Sequence, residues 1–240
     1  MRIIALNGTY RPGETTTRLV EKALEGAASA GAHTEMVVLK EHTIEFCKNC
    51  LTCYQDLESD IAPCSIEDDV RPILEKIRDA DGIILASPVH SGFVTGLMVS
   101  FLERASWTLL RPTGELLGLK GVPEPRLTGK ARGFAVILSA GLVPSEFRQY
   151  CDMGTPFLTE WASVALNGEL VGDLYAGAFF TKSLSDEEWS KAHFFRQLTE
   201  NQFQQAFDLG AKLAGAVRNG EIRPYDARRI EEALLQTAQP

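Results

Sequence analysis

No extended run of lysine or arginine occurs in this sequence, and acidic residues outnumber basic ones by 32 to 24, for a net charge of −8. Such a chain has no electrostatic footprint for nucleic acid or an anionic membrane surface, so neither is expected as a partner. Long apolar runs are missing too. Stretches such as residues 134–138 fall far short of the roughly 20 residues that cross a bilayer. The opening MRIIALNGTYRPGETTT lacks the basic lead-in, long apolar core and cleavage site of a secretory signal, so a cytoplasmic protein is the expectation. Neither G-x4-G-K-[ST] nor G-x-G-x-x-G occurs, which removes the P-loop and the dinucleotide fingerprint. There are no internal repeats and no low-complexity tracts. His33, His42 and His193 show no ligand spacing, and Trp107, Trp161 and Trp189 read as packing or interface residues.

What is present is an ordinary globular composition, 45% apolar and 23% charged over 240 residues, enough for a substantial core. Short apolar runs alternate with segments of helical periodicity. Strands are expected at residues 2–6, 34–40, 81–88, 132–141 and 168–180, and helices over 18–30, 65–80, 95–110, 146–166 and 187–218, the last in one piece or two. Ser65 and Asp68 have the spacing of a capping box, and the Asp68–Asp69 pair suits a helix N-terminus. Residues 112–130, rich in Gly and Pro, read as a loop, and residues 227–236 as a short helix. Strands apolar on both faces and separated by helices indicate a parallel α/β sheet. Five such units fit a doubly wound sheet of order 2-1-3-4-5, with its ligand crevice beyond the carboxyl ends of strands 1 and 3.

The loops after those two strands carry functional signals. The first, NGTYRPGETTTRLV, runs from a strand end into a helix start, where unpaired amides and the helix dipole favour an anion. Thr9, Thr15, Thr16 and Thr17 add donors and Arg11 adds charge. Without a P-loop lysine, a phosphate monoester suits it better than a nucleoside triphosphate. Threonines that merely cap the helix are the plainer alternative. The second loop lies in SPVHSGFVTGLMVSFLER, where Gly92 and Gly96 leave room for a flat ring to approach backbone amides.

Together, GTYRPGETT and SPVHSGFVTGLMVSFLER resemble the NADPH-dependent FMN reductase family of the flavodoxin-like superfamily. The resemblance spans roughly residues 2–180. It departs at His90, where the family usually has Tyr, at Thr15, where it has Asn, and at Val99, where it has a basic residue. It implies that Thr9, Arg11, Thr15, Thr16 and Thr17 hold the FMN phosphate. Pro88, Val89, His90, Ser91, Gly92 and Phe93 would line the ring, and Ser139, Ala140 and Gly141 would close the other side. Residues 1–218 would form one flavodoxin-like FMN-binding domain containing the cysteine-rich loop 45–65, with 219–240 as a C-terminal tail.

That loop holds four of the five cysteines, Cys47, Cys50, Cys53 and Cys64, in a C-x2-C-x2-C run with a fourth ten residues on. The pattern resembles the iron–sulfur flavoprotein branch of the family and implies a [4Fe–4S] cluster. Zinc and a metal-free role stay open at this point, since C-x2-C also suits zinc. Cys151, alone on a predicted helix, reads as a core residue. The resemblance implies an FMN-dependent oxidoreductase with NAD(P)H as donor, a small-molecule or protein acceptor, and a homodimer or homotetramer. Two rivals remain: an iron–sulfur flavoprotein carrying single electrons to and from ferredoxin, and a non-catalytic flavin-binding redox sensor.

Overall fold

The computed structural model describes residues 1–141, 143–177, 180, 182–228 and 231. Among these, β1 (Arg2–Asn7), β2 (His33–Val38), β3 (Gly82–Pro88), β6 (Arg132–Ser139) and β7 (Gly168–Ala176) form one parallel sheet of order β2-β1-β3-β6-β7. Counting only these strands along the chain, this is the expected order 2-1-3-4-5 of a flavodoxin-like fold. The numbers skip because β4 (Leu110–Leu116) and β5 (Leu119–Pro125) pair with each other as a separate antiparallel hairpin.

Alternation along the central strands builds two apolar layers. On one face Ile3, Ala5, Ile84 and Ile137 meet α1 (Thr15–Ser29) and α9 (Glu200–Arg218), through Leu19, Ala23 and Leu213. On the other, Ile4, Leu6, Ile83 and Phe134 meet α3 (Val70–Asp79), α4 (Gly96–Leu109) and α6 (Gly154–Ala165), through Ile73, Phe101 and Leu158. Every residue of β6 is buried, which explains why it reads as a continuous apolar run. Each buried Val, Leu, Ile or Phe side chain in these layers contributes about 1.5–3 kcal/mol by leaving water. Glycines set the approach of α1 to α9: a β-carbon on Gly210 would lie 1.7 Å from the Ala23 carbonyl oxygen, and one on Gly26 1.9 Å from that of Phe207.

Several boundaries differ from the sequence expectations for local physical reasons. The third helix starts at Val70 instead of residue 65, with no side-chain cap. The expected capping box is not formed because the Asp68 carboxylate accepts from Arg104 and from the Glu45 and Val70 amides. Residues 112–130 are largely the β4–β5 hairpin. Its turn, Leu117–Gly118, has positive φ at both residues (50° and 78°), the type I′ geometry that Asn-Gly usually signals. A leucine there hid it. The helix expected over 146–166 is broken into α5 (Arg148–Cys151) and α6, and Cys151 is partly exposed rather than core. The helix expected over 187–218 is three pieces, α7 (Asp186–Trp189), α8 (Ala192–Phe195) and α9. The capping boxes Ser185–Glu188 and Thr199–Gln202 start α7 and α9. Of the helix expected over 227–236, residues 229–230 and 232–236 lie outside the described residues, as do residues 178–179 of the expected fifth strand and the His193 side chain. Among the described residues, no helix is long and apolar enough to cross a membrane.

Candidate functional site

The carboxyl ends of β1, β3 and β6 deliver three loops to one edge of the sheet. Asn7, fully buried at the end of β1, organises the first. Its Oδ1 accepts from the Thr9 amide (3.2 Å) and its Nδ2 donates to the Thr17 hydroxyl (3.0 Å). Thr9 Oγ1 in turn accepts from the Arg11 amide (3.2 Å). Gly13 takes φ +84°, turning the chain into α1 without a Cβ penalty. Thr9, Thr16 and Thr17 are buried, Thr15 is half-buried, and Arg11 is exposed. Thr16 shares a hydrogen bond with Ser139 (2.8 Å), which ties the first turn of α1 to the end of β6.

The second loop folds as a tight turn. His90 and Phe93 exchange backbone hydrogen bonds of 2.8 and 2.9 Å, and Ser91 and Gly92 between them have φ of 52° and 77°. Positive φ at both central residues is again type I′. A β-carbon on Gly92 would meet Met153 Cε at 3.2 Å, so the glycine faces the α5–α6 junction. Val89 donates from its amide to the Ser139 carbonyl (2.9 Å), and Ser139 and Ala140 are buried while Gly141 is partly exposed.

Three residues without a role in the sequence reading lock these loops together. The Thr95 hydroxyl donates to the Gly8 carbonyl (2.7 Å) and accepts from the Met98 amide (3.2 Å), so it caps α4 and clamps it to the first loop. Tyr10 stacks on His90 at 5.7 Å between centroids, and its hydroxyl accepts from the Leu97 amide (3.0 Å). Asn7 is the third. Its position after a strand in an N-G-T turn was the only sequence signal.

The cysteine loop, after β2, includes the short α2 (Thr52–Gln55) and is pinned by two buried arginines. Arg104, 4% exposed in α4, donates to the Glu45 carbonyl (2.8 Å), both oxygens of Asp68 (2.7 and 3.1 Å) and the Cys64 sulfur (3.4 Å). Arg126, after β5, donates to the carbonyls of Cys53 and Ser59 (both 3.1 Å) and to that of Asp56. Left-handed Asn49 (φ 49°) and Leu51 (φ 59°) turn the backbone on either side of Cys50. The exposed Cys50 thiol is lowered to about 6 by hydrogen bonds from Ser65 (3.0 Å) and Thr52 (3.4 Å). Burial pushes the Cys53 thiol up, as do the neighbouring charges of Cys64 and Cys47.

Cys47 and Cys64 lie near enough to Cys53 for their charges to act on it, and Cys50 bonds to Ser65 beside Cys64; in number and softness four thiolates would suit a [4Fe–4S] cluster, which takes one per iron. A single ion needs a closer set, with sulfurs about 2.3 Å from one centre. Among the described residues, no three His, Cys, Asp or Glu side chains are gathered in that way. Arg104 lies eight residues into α4 from Gly96, or about 12 Å along the axis from the helix start at the three-loop edge. A cavity of about 460 Å³, lined by Cys64, Arg104, Asp68, Ile61 and Leu74, adjoins it.

The sheet order and its crevice define a protein of the flavodoxin-like class. The chain belongs to the NADPH-dependent FMN reductase family, whose pattern matches residues 1–142. It is 37% identical over 105 residues to an iron-sulfur flavoprotein of Methanocaldococcus jannaschii, covering 44% of this chain and 52% of that protein. A longer match of 192 residues, at 26% identity, joins 80% of this chain to 76% of an iron-sulfur flavoprotein of Archaeoglobus fulgidus. The chain thus spans about half the length of the first relative and three-quarters of the second. Among solved structures it superposes on an FMN-dependent NADH-azoreductase from Bacillus anthracis with a TM-score of 0.60. That match is 11% identical and covers 89% of this chain and 99% of that one, a likeness of fold alone.

Proposed function

We propose that the chain binds FMN at the three-loop edge and works as an oxidoreductase that takes electrons from NAD(P)H. The observation that carries this reading is the convergence of the loops after β1, β3 and β6 at the first turn of α1, where the Thr16–Ser139 bond joins two of them. The α1 amides, Thr9, Thr15, Thr16 and Arg11 would hold the phosphate, with Thr17 bracing the loop through Asn7. Pro88–Phe93 would support the ring from one side and Ser139–Gly141 from the other. Bound FMN would supply the hydride-accepting chemistry, and the protein's part is to bind, orient and tune it.

Cys47, Cys50, Cys53 and Cys64 would hold a [4Fe–4S] cluster as the electron outlet toward a small-molecule or protein acceptor. The names of the relatives and the Arg104–Cys64 hydrogen bond support that part. They also favour a second reading, a carrier exchanging single electrons with ferredoxin. A cytoplasmic homodimer or homotetramer is the accompanying expectation.

Purification without oxygen followed by titration with NADH and NADPH separates the readings. The expected result is a yellow-brown protein that releases FMN on heating and bleaches with one nicotinamide. Reduction only by ferredoxin or dithionite would favour the carrier. Released FAD, or colourless protein indifferent to added FMN, would remove both.

A further inference from the structure

Arg196 lies beyond the family pattern, on the segment that joins α8 to α9. Its backbone bridges to Phe180, and its Nη2 donates to the Ala176 carbonyl (3.0 Å). The same carbonyl accepts from the Ala140 amide (3.0 Å), so the guanidinium stands at the carboxyl ends of β6 and β7, beside the third loop. Its Nε is enclosed and has no hydrogen-bond partner among the described residues.

Among the described residues, Arg11 is the charged group that acts on Arg196, with the Tyr175 hydroxyl opposing it. Neither Arg196 nor Arg11 forms an ion pair among the described residues. Burial, then the charge of Arg11, lowers Arg196 to about 10, so it stays cationic at neutral pH. The first turn of α1 adjoins the start of α9, where the Arg18 guanidinium lies 4.9 Å from the centre of the Phe203 ring. Thr16 reaches Ser139, the residue before Ala140. Two guanidinium groups and a helix N-terminus thus lie near one another, and neither guanidinium is paired with Glu14, the N-cap residue of α1, among the described residues. Arg196 is largely enclosed and Arg11 exposed, and an anion between like charges replaces their repulsion with attraction.

We propose that Arg196 is the second guanidinium of the anion site at the start of α1, binding the flavin phosphate opposite Arg11. The proposal rests on the FMN reading above and adds a residue that confers preference for a phosphorylated flavin. A purely structural Arg196 would instead anchor its segment to Ala176, and ligand comparison tells the two apart.

The test titrates the full-length, flavin-free protein with FMN and with riboflavin, which lacks the phosphate, following the quenching of flavin fluorescence. Wild type should prefer FMN. Arg196→Met should weaken FMN binding by roughly tenfold to a hundredfold, the range for a charge-assisted hydrogen bond. Its riboflavin affinity should change by less than about threefold. Arg196→Gln, which keeps a donor for Ala176 but no charge, should behave as Arg196→Met does. Inorganic phosphate should raise the Tm of wild type more than that of either variant. Equal losses for FMN and riboflavin, or an undiminished FMN preference in both variants, would overturn the role of Arg196. A wild type that binds riboflavin as tightly as FMN would overturn the phosphate site as a whole.

Discussion

The Arg104 guanidinium, buried in the middle of α4, donates to the Cys64 sulfur while two of its nitrogens grip the Asp68 carboxylate, whose side chain is 1% exposed. A single residue thus joins the α4 helix to both ends of the cysteine loop, through Glu45 and through Cys64.

Breaking that pair from one side should be costly. Arg104→Met leaves Asp68 buried without a counterion, and unfolding in urea should show a loss of about 3–5 kcal/mol at neutral pH. The pH dependence has a definite sign. Burial raises the Asp68 pKa, but hydrogen bonds from Arg104, Glu45 and Val70 outweigh it and hold the group below its ordinary value. Its contribution is therefore complete above the unfolded value and is lost as pH falls through the lowered folded one. The stability gap between wild type and Asp68→Asn should be constant from about pH 5 to 7 and close below about pH 4. A gap that widens in acid would contradict it.

The cysteine loop should load as a unit. Protein made without oxygen is expected to carry about four irons and matching acid-labile sulfide per chain. Cys→Ser at position 47, 50, 53 or 64 should lose the cluster together, while Cys151→Ser keeps it. Iron content independent of these four residues would exclude the assignment.

The α1–α9 contact should tolerate no added methyl. Gly210→Ala places a β-carbon against the Ala23 carbonyl, which cannot rotate away, so the helices must separate. A loss of about 1–3 kcal/mol in thermal or urea unfolding is expected, with a comparable loss for Gly26→Ala. Gly215→Ala in the same helix, where the added carbon meets nothing within 4 Å, serves as the control.

Gly92 is held at φ +77°, and Ser91 beside it at 52°. Gly92→Val should therefore destabilise the flavin-free protein by about 1–2 kcal/mol through backbone strain alone. Ring exclusion is then better read from affinity in a Gly92→Ala variant, corrected for its own stability. Equal melting of Gly92→Val and wild type would show that the turn can rearrange.

Periodicity and alternation determined much of this protein without coordinates. The apolar runs at Ile3–Leu6, Ile83–Ala86 and Phe134–Leu138 specify strands buried on both faces, and loop chemistry marks the strand ends from which Arg11, Thr16 and Gly92 project. These signals are local, carried by residues a few positions apart. The β4–β5 hairpin escaped because its turn places a leucine at positive φ, where propensity leads one to expect Asn or Gly. Asp68 has the spacing of a cap, yet Arg104, 36 residues away, takes its carboxylate. Arg196 lies far from any motif and comes to the sheet edge only when α9 packs on α1. What the tertiary structure alone decided are the pairings across long sequence separations, because a buried charge takes whichever partner packing brings to it.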